Sequence, residues 1–249
     1  MYNKKLLSFN NAKTVKGEKY GYKTYILYMS PHTQNSLGKN ICPNASKGCA
    51  DACLYKSGFG GIYTSVQNGR IAKTELFLTD RKFFLEYLKA EITKVKAKHD
   101  KIGDKLCIRL NGTSDLAYET FKIEGKNIME HFPDIQFYDY TKSSKRMAKF
   151  VSGDFPKNYQ LTFSRSEDND IETDIVLGNG GNVAIVFRNG LPTTYKGFNV
   201  INGDESDLRF LDEENVVVGL KYKNVTGEGG KESNDNSKES GFVIDTETL

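Results

Sequence analysis

Hydrophobic positions along this chain follow two alternating periods. Over residues 20–30 (YGYKTYILYMS) aromatic and apolar side chains alternate with polar ones, the two-residue repeat of a strand, until Pro31 stops it. After Thr79 the period changes: Phe83, Phe84, Tyr87, Leu88, Ile92 and Val95 recur close to every 3.6 residues, and Thr79 or Asp80 is placed to cap the helix they predict. A Gly-Asp turn leads into KLCIRLNG (105–112), where Leu106, Ile108 and Leu110 share one face and Cys107, Arg109 and Asn111 the other. The pattern then repeats. Helical GKNIMEHF (125–132) precedes a strand in DIQFYDYTK (134–142), SSKRMAKFV (143–151) precedes YQLTFSRS (159–166), and NDIETDIVLGNGG (169–181) precedes NVAIVFRNG (182–190). GFNVINGD (197–204) and NVVVGLKYKN (215–224) add two further strands.

Strands alternating with helical stretches build right-handed βαβ units and a parallel sheet. This many strands predicts an α/β fold in which the sheet curls into a parallel β/α barrel or partial barrel, TIM-like, as a single domain over 1–249. The strands around 105–111, 135–141, 159–165, 183–188 and 216–222 are expected to be neighbours in it. GEGGKESNDNSKESG (227–241), polar and Gly-rich, is expected to be a flexible excursion.

In such folds the chemistry lies beyond the carboxyl ends of the strands, and those ends are polar here. Arg109, Asn111, Thr162, Ser164, Ser166, Arg188 and Lys221 fall opposite the apolar sets of their strands. For the strand near 138 the pattern leaves open whether Asp139 and Thr141 or Tyr138 and Tyr140 point inward. Arg109, Asp139, Lys142, Ser164, Arg188 and Lys221 are the candidates for binding a substrate.

Composition narrows the picture modestly. A chain of 249 residues, 38% hydrophobic, is ample for one real core. Its net charge of +3 is too weak to announce nucleic acid on its own. The start, MYNKKLLSFNNAKT, lacks the apolar core of a signal peptide, and no apolar run reaches membrane-spanning length, so a cytoplasmic protein that avoids membranes is expected. His32, His99 and His131 are isolated, and His99 in KAKHDK reads as a solvated helix-end residue. GFGG (58–61) lacks the lysine of a P-loop and reads as a turn.

Cysteine spacing changes the picture more. KNICPNASKGCADACLYKSG (39–58) carries Cys42, Cys49 and Cys53 as C-x6-C-x3-C, and Cys107 follows on the polar face of a strand. In a reducing compartment clustered thiols are more often metal ligands or catalytic groups than disulfides. Zinc sites usually contain a close C-x-x-C pair, and none occurs here. Three loop thiolates suit a [4Fe–4S] cluster with one iron open or held by a fourth ligand. Zinc on Cys42, Cys49, Cys53 and Cys107, a disulfide, and no metal at all stand as alternatives. Ligation to one centre requires the three loop sulfurs to converge.

The order strand, three-cysteine loop, helix, strand, glycine-containing polar turn resembles the radical S-adenosylmethionine enzymes. CPNASKGCADAC stands where their cluster loop would be, with spacing that differs from their C-x3-C-x2-C, and LNGTSDL stands where their glycine turn would be. The resemblance implies that Asn111, Gly112, Ser114 and Asp115 receive S-adenosylmethionine. A closer likeness is to the phage family called gene product 88, a group of uncharacterised phage and plasmid proteins; membership would place the chain in the host cytoplasm. It rests on LLSFNNAKT, CPNASKGCADACLY, QNGRIAKTELF, RLNGTSDL and YDYTK, and covers most of residues 6–190. Two classes of function follow. One is an enzyme that holds a polar or phosphorylated small molecule or nucleotide at the mouth of the barrel beside the metal. The other is a binding protein for a host factor or nucleic acid, in which the metal staples a loop and basic residues beside aromatics, as in YDYTKSSKR, contact phosphates and bases.

Overall fold

The computed structural model describes residues 3–10, 12–53, 55, 62–225 and 230–249. Among these residues ten strands occur in the order β1 (Leu7–Ser8), β2 (Tyr22–Leu27), β3 (Lys105–Arg109), β4 (Gln136–Thr141), β5 (Tyr159–Ser164), β6 (Val183–Arg188), β7 (Thr194–Tyr195), β8 (Phe198–Asn202), β9 (Val217–Lys221) and β10 (Val243–Asp245). Between them lie α1 (Ala12–Val15), α2 (Lys47–Asp51), α3 (Thr64–Thr79), α4 (Arg81–Asp100), α5 (Ile128–His131), α6 (Ser144–Val151), α7 (Asp170–Gly178) and α8 (Gly230–Glu239). Among the described residues no helix is long and apolar enough to cross a membrane.

Strand order is β1-β2-β3-β4-β5-β6-β9-β8-β7, with β10 also paired to β6. Every pair from β2 to β8 is parallel, and among the described strands the β1–β2 and β7–β8 pairs at the margins are antiparallel. The five strands expected to be neighbours are therefore adjacent and parallel, in the order β3, β4, β5, β6, β9. The sheet is not closed: among the described residues no ladder joins β1 to β7, so the fold is an open, mostly parallel α/β sheet.

Alternation gives this sheet two different faces. Ile108, Phe137, Leu161, Phe163, Ile185 and Phe187 project to one side, where Leu88 and Ile92 of α4, Met147 of α6 and Leu177 of α7 complete a fully buried core. On the other side Cys107 and Tyr138 pack against Leu208, and the Arg109 guanidinium lies 4.6 Å from the centre of the Tyr140 ring. Tyr138 and Tyr140 thus share the face of Cys107, while Asp139 and Thr141 project with the helix-side set, which settles the register question for β4. The segment between β8 and β9 covers the tyrosine face. Its Asp207, 2% exposed, accepts hydrogen bonds from Arg109 Nη1 at 3.1 Å and Tyr138 OH at 3.0 Å.

Local chemistry explains where the helices begin. Asp80 caps α4 by accepting the Phe83 N–H at 3.0 Å, and Asn127 and Glu130 form a reciprocal capping box at α5. α3 carries no clear 3.6-residue apolar stripe, and two of its buried residues, Lys73 and Thr74, are polar. Those side chains pin it instead: Lys73 Nζ donates to the Leu6 carbonyl at 2.7 Å, and the Ser30 N–H donates to Thr74 Oγ1 at 2.8 Å. Two expectations need correction. His99 is not solvated but 2% exposed, between Tyr25 OH (3.1 Å) and the Asp104 carboxylate (2.8 Å), because the helix end turns into the β2–β3 edge. Of the expected excursion 227–241, residues 230–239 form helix α8, which docks on the cysteine loop through Ser233 Oγ and the Asp51 carbonyl, 2.6 Å apart. The GFGG turn at 58–61 lies outside the described residues.

Candidate functional site

The carboxyl ends of β3, β4, β5, β6 and β9 surround a cavity of about 230 Å³. The cysteine loop after β2 forms one part of its wall, with Cys42, Cys49 and Cys53 all lining it. The turn after β3 brings Asn111, Gly112, Ser114 and Asp115, and the strand ends bring Arg109, Lys142, Ser164 and Lys221. Eleven of the fourteen residues singled out from the sequence meet here; Cys107, Asp139 and Arg188 do not line the cavity.

Each exception has a physical cause. Cys107 sits within β3, not at its end, fully buried with its Sγ 3.1 Å from Thr24 Oγ1, and burial pushes its thiol up to about 12. Asp139 belongs to the helix-side face. It accepts hydrogen bonds from the Asn111 N–H (2.7 Å), Asn111 Nδ2 (3.1 Å) and Tyr159 OH (2.9 Å). Arg188 turns to the Asp245 carboxylate of β10 at 2.9 Å.

The turn at 111–115 is fixed by its own side chains. Asn111 Oδ1 accepts from Ser114 OH and the Leu116 N–H, both at 2.8 Å, while Nδ2 donates to the Leu116 carbonyl at 2.9 Å. Asp115 accepts from Thr141 OH (2.8 Å), the Lys142 N–H (3.0 Å) and Arg146 Nη1 (2.8 Å). These groups, expected to receive a cofactor, hold the β3 turn to β4 and α6.

The cysteine loop is held as firmly. Ser46 caps α2 by accepting the Cys49 N–H at 3.1 Å, and Glu167, from the loop after β5, accepts Ser46 OH and the Gly48 N–H, both at 2.7 Å. Cys42 Sγ–H points at the Thr113 carbonyl, 3.7 Å away. Burial pushes the Cys42 thiol up to about 12, with Cys53, Cys49 and Asp115 close enough to raise it further. All four cysteines are free, so the disulfide alternative is not formed. The three loop thiols share a wall without being gathered: among the described residues no group of three or more His, Cys, Asp or Glu side chains stands in metal-holding geometry. The donor set is that of a soft-metal or iron–sulfur centre; the positions are those of a loop clamped by Glu167 and Thr113.

Sequence reading missed several contributors. Tyr222 and Lys223 lie one and two residues past β9, and their strand-end KYKN was the available signal. Phe242, whose ring lies 5.3 Å from Lys142 Nζ, and Glu167 had none, because contacts this distant in sequence leave no local pattern. Of the rings in YDYTKSSKR, Tyr138 is fully buried, whereas Tyr140, half-buried with the Arg109 guanidinium 4.6 Å from its centre, lines the cavity.

Burial pushes Asp139 up to about 6, against the opposing pull of Arg109 and of the hydrogen bonds from Asn111 and Tyr159. A folded-state value above the unfolded one, near 3.9, means that its contribution to stability is complete below about pH 4 and lost as pH rises through about 6. Carbon NMR of the Asp139 carboxyl is expected to titrate near pH 6; a midpoint near 4 would show that the hydrogen bonds outweigh burial.

The open, mostly parallel α/β sheet thus carries a cavity at its carboxyl edge, walled by a thiol-bearing loop, where sheets of this kind commonly place their ligands. Comparison with known proteins adds the lineage. The model of the family described as Gene product 88 matches residues 5–246, and the chain belongs to that family. No curated protein and no solved structure matches it.

Proposed function

We propose that this phage-type protein binds a polar small molecule in the cavity at the carboxyl edge of its sheet, and that Cys42, Cys49 and Cys53 hold a metal centre, a [4Fe–4S] cluster, at the rim of the same cavity. One observation carries the reading: a loop, a turn and five strand ends far apart in sequence converge on one cavity, and the three loop cysteines all face it. Drawing the three sulfurs onto one centre requires the α2 loop to shift from its contacts with Glu167 and Thr113. The reading does not extend to S-adenosylmethionine, because the polar side chains of the 111–115 turn are committed to the fold.

The test is anaerobic reconstitution with iron and sulfide, followed by absorption spectroscopy and metal analysis. The expected result is a cluster spectrum that each of Cys42→Ala, Cys49→Ala and Cys53→Ala abolishes and Cys107→Ala leaves intact, since Cys107 lies off the cavity. Zinc in place of iron would replace the cluster by a structural ion, and favour a binding protein over an enzyme. A protein that takes up neither would remove the metal centre.

A further inference from the structure

The charges around the cavity do not cancel. Arg109, Lys142, Lys221 and Lys223 line it, against the carboxylates of Asp115 and Asp204. Both carboxylates are engaged within the protein: Asp115 pairs with Arg146 at 2.8 Å, and Asp204 accepts from Lys223 Nζ and the Lys221 N–H, both at 2.9 Å. Arg109 is matched by the buried Asp207 at 3.1 Å. Lys142 and Lys221 remain, neither with a carboxylate within 4.0 Å among the described residues. Lys142 Nζ donates to Ser164 Oγ at 2.7 Å, and an ammonium has two more protons to offer.

The cavity therefore presents two ammonium groups without a carboxylate partner among the described residues, from the ends of β4 and β9. Its other lining side chains include Val186, Leu220 and Phe242, which are apolar.

We infer that the ligand of this cavity is a small phosphate monoester, with its phosphate between Lys142 and Lys221 and its carbon skeleton against Val186, Leu220 and Phe242. The inference rests on reading the cavity as a small-molecule site and adds the class of molecule. A phosphate monoester carries close to two negative charges and three acceptor oxygens, which matches two ammonium groups approaching from different strands. A carboxylate offers one charge and two coplanar oxygens, better suited to a single guanidinium fork. Size narrows the class further. About 230 Å³ lies below the usual range of roughly 300–1,000 Å³ for cofactor and drug-sized sites, which favours one compact ester over a dinucleotide.

The test is calorimetric titration of the purified full chain with ribose 5-phosphate and AMP, each beside its unphosphorylated twin, ribose and adenosine. At least one phosphorylated probe is expected to bind ten-fold or more tightly than its twin, and to weaken as salt rises. Lys142→Met and Lys221→Met should each weaken that binding about ten-fold, the loss expected of one charge-assisted contact. Lys82→Met, on the far-exposed surface of α4, should leave it unchanged, and thermal melting confirms that each variant is folded. Twins that bind as tightly as their phosphates would overturn the phosphate inference and leave the small-molecule site standing. Phosphates whose binding ignores both lysine substitutions would overturn the assignment to this cavity. Failure of all four probes would also overturn the inference, while cluster loading on the cysteines, measured separately, would still decide the metal centre.

Discussion

Arg146→Met is expected to lower the free energy of unfolding by about 3–5 kcal/mol, the cost of leaving buried charges without their partner. Arg146 is 8% exposed, and its guanidinium grips Glu119 with two bonds, Nε to Oε1 at 2.8 Å and Nη2 to Oε2 at 2.9 Å. Nη1 reaches Asp115 at 2.8 Å, and Nη2 also donates to Tyr159 OH at 3.0 Å. Burial alone would lower the Arg146 pKa; the Tyr159 oxygen and the carboxylates of Glu119 and Asp115 more than offset it and raise it. Methionine fills the volume but strands two carboxylates, each only 12% exposed. Lysine restores the charge without the fork, so Arg146→Lys should recover only part of the loss. Urea denaturation reads both outcomes. A loss below about 1 kcal/mol for Arg146→Met would mean that water reaches the network and screens it.

Gly112→Ala should cost about 3 kcal/mol, at the upper end of what overpacking usually does. A Cβ at this position would stand 2.6 Å from Ile26 Cγ2, 2.7 Å from Tyr28 Cδ1 and 2.8 Å from the Leu27 carbonyl oxygen. The last is backbone and cannot rotate away. It is also the acceptor of the Gly112 N–H at 3.0 Å, so relief of the clash breaks the bond that ties the β3 turn to the end of β2. Here glycine is required for close approach. Denaturant melting measures the loss, and cluster loading of the same variant asks whether the turn supports the cysteine loop through Thr113, whose carbonyl meets Cys42. A variant as stable as the parent would show that β2 yields.

The sheet was legible in the sequence because β3 and β5 alternate with a two-residue period, β6 and β9 are short apolar runs, and the long helix keeps a 3.6-residue period. Leu106, Ile108 and Leu110 announced the core face of β3 correctly, and the face of Cys107 and Arg109 was equally plain. Closure was not legible. Periodicity reports which face is buried, not whether the first and last strands meet, and here their margins end in short antiparallel strands. α3 escaped notice because polar side chains anchor it; Lys73 and Thr74 at the buried positions hide the apolar stripe. The candidate site was legible only as a set of strand ends, since eleven of the fourteen residues singled out line one cavity. Their duties were not. Whether Asn111 and Asp115 serve a ligand or the fold depends on partners such as Arg146 and Leu116, which no spacing rule reveals.

The docking of β10 and α8 has a consequence for the life history of the protein. β10 pairs with β6 at Val186, Phe187 and Arg188, just beyond the point where β5 stops pairing with it at Ala184, and carries Phe242 to the cavity wall beside it. The cysteine loop is meanwhile held by contacts 121 and 182 residues away, from Ser46 to Glu167 and from Asp51 to Ser233. During synthesis the loop leaves the ribosome long before any of these supports exist. Chains made from the amino end can pair β2 through β5 as they emerge, but the cavity acquires its last wall only once residues near 245 are free to dock. Any ligand or metal that the cavity takes would therefore load late, after the carboxyl-terminal elements have docked.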